Sequence, residues 1–125
     1  MNVKIDTREK FHAITINETV LAANMTAELD NYLIKVQQNV VKNVVLNLKD
    51  IKNIDNAAAE HLVKTQQSFY ENGSSFVICE LGKELERSLD DAGLLELMNT
   101  TPTESEASDI VQMEEIEREL LDDVE

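Results

Sequence analysis

The side chains that could do chemistry in this sequence stand apart from one another. His12 and His61 are the only histidines and Cys79 is the only cysteine. Hydrolytic or metal chemistry needs a nucleophile beside a base, or ligands gathered at short spacing. Neither histidine has a cysteine or carboxylate at metal-ligand spacing. His12 lies in an alternating stretch and is expected to point outward into solvent. His61 follows Glu60 in a stretch of helical spacing, where a solvated surface position is the plainer expectation than proton transfer. Cys79 has no His or Lys next to it in sequence to lower its pKa, so it reads as a small core residue. Asp90-Asp91 and Asp122-Asp123 are adjacent pairs, which diverge on a helix and do not share one site. GxxxxGK[ST] and GxGxxG are both absent, and three glycines could hardly build a phosphate-cradling loop. The expectation is a chain that is not an enzyme and uses no metal or cofactor.

One stretch does place polar residues usefully: residues 44–62, VVLNLKDIKNIDNAAAEHL. Val44-Val45-Leu46-Asn47-Leu48 is apolar at nearly every position, as a strand buried on both faces must be. A connector runs through Ile51 and Ile54, and Asp55-Asn56 opens a helix. In open parallel sheets the loops at the carboxyl ends of strands form the functional edge. Asp55 or Asn56 can cap the helix, whose positive end also suits an anion. Ala57-Ala58-Ala59 keeps the helix start narrow, so another protein can approach closely. The candidate partner-binding residues are Asp55, Asn56, Ala57, Ala58 and Ala59.

The elements that must position this stretch follow from periodicity. Residues 2–6 and 11–16 alternate as strands, with TREK between them as a hairpin turn. Residues 17–24 are irregular. Thr26 can cap a helix over 26–41, in which Leu29, Leu33, Val36 and Val40 form one face. The second helix covers 57–70 and ends at Asn72-Gly73. Ser75–Glu80 is a buried strand, Lys83–Ala92 a short helix stopped by Gly93, and a short strand lies near Met98–Thr101. Pro102 closes that strand, and a helix follows over Glu104–Gln112. Repeated strand–helix alternation from residue 43 implies parallel strands with crossover helices. The fold class is α/β: a mostly parallel sheet of four to five strands covered by helices.

With 125 residues the chain is one domain, read as a core over 1–102 and an acidic C-terminal segment over 103–125. Net charge is −14, from 25 acidic and 11 basic residues, which argues against nucleic acid and against an anionic membrane surface. Residues 103–125 hold ten acidic residues and one basic, Arg118, a net of −9. Ile110, Met113, Ile116, Leu120 and Val124 recur at spacings of three and four, so this segment is amphipathic. It is expected to dock through that stripe, on the body, on another copy or on a partner. No apolar run approaches membrane-spanning length, and the charged N-terminus does not read as a signal peptide. A cytoplasmic location is expected.

The residues around Asp55 resemble the STAS domain family of bacterial anti-sigma-factor antagonists. The family pattern is an apolar strand, a connector, then F/I-D-S/T-S-G-L opening a helix; here it reads Val44–Leu48, then Ile54-Asp55-Asn56-Ala57-Ala58-Ala59. Upstream, Leu21–Leu29 resembles the family's L-D-A-x-N-A-x-E-L. Downstream, Asn72–Cys79 resembles its G-x-x-L-x-L strand, and Leu85–Leu94 its V-x-x-x-L-x-x-x-G-L helix. The four pieces fall in register over roughly residues 1–110. The resemblance implies a protein–protein switch in which a kinase that is also an anti-sigma factor phosphorylates the Ser or Thr after the Asp, adding charge that breaks the complex. The matching position is Asn56, which has no hydroxyl; Ala57 and Ala58 replace the Ser and Gly, and Ala22 the Asp of the first loop. The resemblance thus implies an interaction module for an anti-sigma factor or kinase, not switched at this site. A STAS subunit of an ABC-type lipid transporter, and a small-ligand or nucleotide-binding domain, are the alternatives.

Overall fold

The computed structural model describes the chain from Met1 to Val124, with side chains as far as Leu121. Val124 and the pair Asp122-Asp123 fall outside the described side chains. In chain order the elements are β1 (Val3–Thr7), β2 (His12–Ile16), β3 (Val20–Leu21), α1 (Thr26–Gln37), β4 (Val44–Asn47), β5 (Asn53–Ile54), α2 (Asn56–Glu71), β6 (Phe76–Cys79), α3 (Lys83–Asp91), β7 (Thr100–Thr101) and α4 (Glu104–Val124).

Five strands form one sheet in the order β1-β2-β4-β6-β7. β1 and β2 are an antiparallel hairpin, with Val3 opposite Ile16 and Thr7 opposite His12. The Arg8 amide donates to the Phe11 carbonyl at 2.8 Å to close the turn. β2, β4, β6 and β7 are mutually parallel. This is the mostly parallel sheet that the alternation predicts, and β7 falls where a short strand near 98–101 is expected.

Alternation along the central strands sorts residues by size. Ile14, Ile16, Leu46, Phe76 and Ile78 face one side, where Leu29, Leu33, Leu62, Leu85 and Leu89 of α1, α2 and α3 pack on them. Phe76 meets Phe69 of α2 with ring centroids 5.0 Å apart, in tilted geometry. Phe11, Ala13, Val45, Val77 and Cys79 face the other side. These are mostly small, so a single helix can lie close against them. That helix is α4, which seals the face with Ala107 and Val111, both fully buried. The acidic segment therefore packs as a layer against the sheet.

Polar bonds fix both ends of α4. The Asn43 side chain donates to Glu115 Oε2 at 2.9 Å and accepts from Arg118 Nη2 at 3.1 Å and from the Ser75 amide at 2.8 Å. Arg118 also donates to Ser75 Oγ and to Glu115. Asn43 and Ser75 are buried, so each would be costly without these partners. At the other end Glu80, held at φ 62, accepts from the Glu104 amide at 2.8 Å, and Asn47 donates to the Glu104 carboxylate.

Three local expectations change. α1 stops at Gln37, not residue 41, and Val40 is fully exposed. The carbonyl of Val41 accepts from His12 Nε2 at 2.9 Å, so the chain has already left the helix there. His12 itself is buried, not solvated. The Val41 carbonyl can only accept, so Nε2 carries the hydrogen, and Nδ1 is 3.0 Å from Thr7 Oγ1. Thr26 does not cap α1, because its hydroxyl donates backward to the Ala23 carbonyl and Met25 is the N-cap. Of the apolar stripe of α4, Ile110 packs at the edge of the sheet face, while Met113, Ile116 and Leu120 do not dock on the body and are all more than half exposed.

Two outcomes are expected. Burial, with the Glu104 and Glu80 carboxylates nearby, pushes the Cys79 thiol up to about 12, so it should be inert to thiol reagents at neutral pH. Deleting residues 103–125 should uncover Cys79 and Val77, giving rapid thiol labelling and binding of an apolar dye; equally slow labelling would mean another segment covers that face. The Asn43 amide, supported by Arg118, holds the Glu115 carboxyl below its ordinary 4.5. The stability it adds is complete above that unfolded value and is lost as pH falls through the lower folded value. Glu115→Gln should therefore flatten the decline in stability below about pH 4.5, read by urea unfolding across pH.

Candidate functional site

The start of α2 is positioned by a feature too short to show as alternation. β3 and β5 pair in parallel over two residues each, Val20 with Asn53 and Leu21 with Ile54. The Lys52 amide donates to the Thr19 carbonyl at 2.6 Å and the Asp55 amide to the Leu21 carbonyl at 3.1 Å. Stretches that read as irregular (17–24) and as a connector (49–55) are thus tied into one small ladder. It brings the loop before α1 alongside the loop before α2.

Asp55 continues this junction. It occupies the N-cap position of α2 with extended backbone, φ −68 and ψ 146. Its carboxylate does not close onto the amides of α2, as a capping role predicts. Oδ2 instead accepts from the Ala23 amide across the junction at 3.0 Å. The first turn of α2 therefore has no side-chain cap. Asn56 is the first helical residue, and it and Ala57 are exposed. Ala58 and Ala59 are fully buried. Of the five residues expected to meet a partner, Asp55, Asn56 and Ala57 reach the surface. Ala58 and Ala59 lie in the core beneath them, where their small size seats the helix start. Ala23 and Asn24 are exposed beside them, which sequence spacing did not point to.

This edge offers an amide that donates and accepts, uncapped helix N–H groups and one pinned carboxylate. It holds no nucleophile–base pair.

The remaining polar candidates lie elsewhere. His61 Nε2 is 2.7 Å from Asp30 Oδ1, linking α2 to α1 rather than pairing with Glu60. The nearest turn's hydroxyl, Thr65 Oγ1, donates to the His61 carbonyl and is not poised as a nucleophile. Asp30 and His61 are too far apart in sequence for spacing to reveal the pair. Cys79 is buried in the sheet face under α4. Among the described residues, no three His, Cys, Asp or Glu gather as a metal site. No helix among them is long and apolar enough to cross a membrane.

Comparison with known proteins agrees with this geometry. The STAS domain family model matches residues 2–107. An anti-sigma factor antagonist from Mycobacterium paratuberculosis superposes with a TM-score of 0.72 at 15% identity, covering 89% of this chain and 93% of that one. A variant of Moorella thermoacetica RsbS gives 0.73 at 18% identity, covering 90% and 96%. The murine solute carrier 26 family member A9 anion transporter gives 0.69 at 13% identity, covering 83% of this chain and 18% of the transporter. At these identities the structures speak for the fold, and the family model for membership. The sheet order, the helical layers, the junction at Asp55 and the match over residues 2–107 together place this chain in the STAS domain family.

Proposed function

We propose that this chain is a non-enzymatic interaction module that binds a protein partner of the anti-sigma-factor type, in the cytoplasm, through the start of α2. The observation that carries this reading is the exposed Asn56 beside a pinned Asp55 at the carboxyl edge of the sheet. The family to which the chain belongs contains anti-sigma-factor antagonists, one of which shares this fold.

The residue types set the state of the surface. A phosphorylated hydroxyl here would add a dianion next to Asp55 and the helix start, and would have to be desolvated on binding. Asn56 cannot accept that group. Its amide keeps the charge of an unmodified hydroxyl side chain, so the edge stays binding-competent. Control then acts through abundance, through another site or through the partner.

Bracing a membrane-transport assembly is the second reading, supported by the fold likeness to the murine anion transporter. A module that only braces has no need of a switch, which also suits Asn56.

Two substitutions separate surface from scaffold. Asn56→Asp places a second carboxylate beside Asp55 at an interface, and should weaken partner binding about tenfold or more with stability unchanged. Asp55→Ala removes the bond to the Ala23 amide and should lower stability by about 1 kcal/mol as well as binding. The measurement is co-purification from native lysate with tagged wild type and Asn56→Asp side by side, then calorimetry with the partner recovered. A kinase-like anti-sigma factor lost in Asn56→Asp supports the reading. A transporter ATPase supports the bracing role, and partners indifferent to residue 56 exclude this edge.

A further inference from the structure

We propose that the outward face of α4 is a second docking surface, for an amphipathic helix of another protein whose apolar stripe is flanked by lysine or arginine.

α4 already fulfils its structural task with one side. Ala107 and Val111 seal the sheet, and Glu115 and Arg118 bond to Asn43 on the same side. The opposite side repeats apolar residues at spacings of three and four: Met113, Ile116 and Leu120, with Leu121 adjoining. They are 55%, 57%, 59% and 68% exposed. Nothing in this chain covers them among the described residues, and the fold does not need them to be apolar. A continuous stripe on one helix, unlike scattered surface leucines, is the form that a helix-on-helix contact takes.

Charge selects the occupant. Exposed Glu106 and Asp109 precede the stripe, and exposed Glu117 and Glu119 lie beside it. Arg118, the single cation of residues 103–125, is turned inward to Asn43, Ser75 and Glu115. A second copy of this chain would set one segment of net −9 against another. Like charges facing across an interface oppose binding, so self-association through this face is disfavoured. A partner helix with basic flanks gains both the apolar burial and the complementary field. This surface lies on the opposite side of the sheet from Asn56, so both can be occupied together, and neither reading depends on the other.

The test uses the full chain and a leucine–lysine peptide with leucines at helical spacing, followed by calorimetry and light scattering. Ile116→Ser with Leu120→Ser removes the stripe and leaves every charge in place. Binding should fall about tenfold or more in this double variant. It should also weaken as salt rises, and Asn56→Asp should leave it unchanged. A leucine–glutamate peptide of the same pattern should not bind. Equal affinity in wild type and double variant would overturn the proposal by reducing the contact to charge alone. Loss of binding in Asn56→Asp would overturn it by moving the contact to the α2 edge. A dimer of the free chain that the double variant abolishes would overturn it in favour of a second copy.

Discussion

β4 and β6 are buried on both faces, and most of the structure follows from that. A strand with no polar side must be covered above and below, and parallel strands need crossovers long enough to carry the cover. α1, α2 and α3 cover one face as those crossovers. They leave the other face to α4, which arrives last in the chain and alone. The face it meets is built from small residues, Ala13, Val45, Val77 and Cys79, matched to one helix rather than three. An acidic C-terminal segment therefore serves as half of the double cover.

The same constraint explains how charge is distributed. α4 can be strongly acidic because only one side of it is buried. Its inward polar groups are answered individually: Glu115 by Asn43 and Arg118, and Glu104 by Asn47. Arg118 is drawn inward by that network, which strips the outward side of its cation and leaves an apolar stripe among carboxylates. A buried asparagine, Asn43, joins the start of β4 to the start of β6 and to α4 at once. The bonds that fix the helix are thus what give its exposed side a single sign of charge.

The edge at the start of α2 is built by the opposite kind of device, a minimal one. Two residues in each of β3 and β5, and one carboxylate on one backbone amide, hold two loops together at the carboxyl side of the sheet. Asp55 works as a strut between loops, and that frees the first turn of α2 to face outward. The burial of Ala58 and Ala59 makes the exposed part of the edge small. Its exposed polar group is Asn56, a neutral amide beside Asp55.

Much of this was legible in the residues themselves. Periods of two and of three to four located the main strands and helices, because burial on one or both sides leaves a pattern in hydrophobicity. The run Val44–Leu48, the glycine after Asn72 and the pattern at Ile54–Ala59 were enough to imply a mostly parallel sheet and to locate the start of α2. What the sequence could not show are pairings between distant residues and choices between two apolar faces. The β3–β5 ladder is too short to have a period. His12 alternates like an exposed residue, yet it is buried because the Val41 carbonyl and the Thr7 hydroxyl satisfy both its nitrogens. Periodicity showed that the C-terminal helix is two-sided but left open which side meets the body. The stripe Met113–Ile116–Leu120 is the more apolar side, yet Ala107 and Val111 are the ones whose size fits the shallow face beneath. Hydrophobicity along a chain records that a helix has sides; only the shape of the surface it meets decides which side is inside.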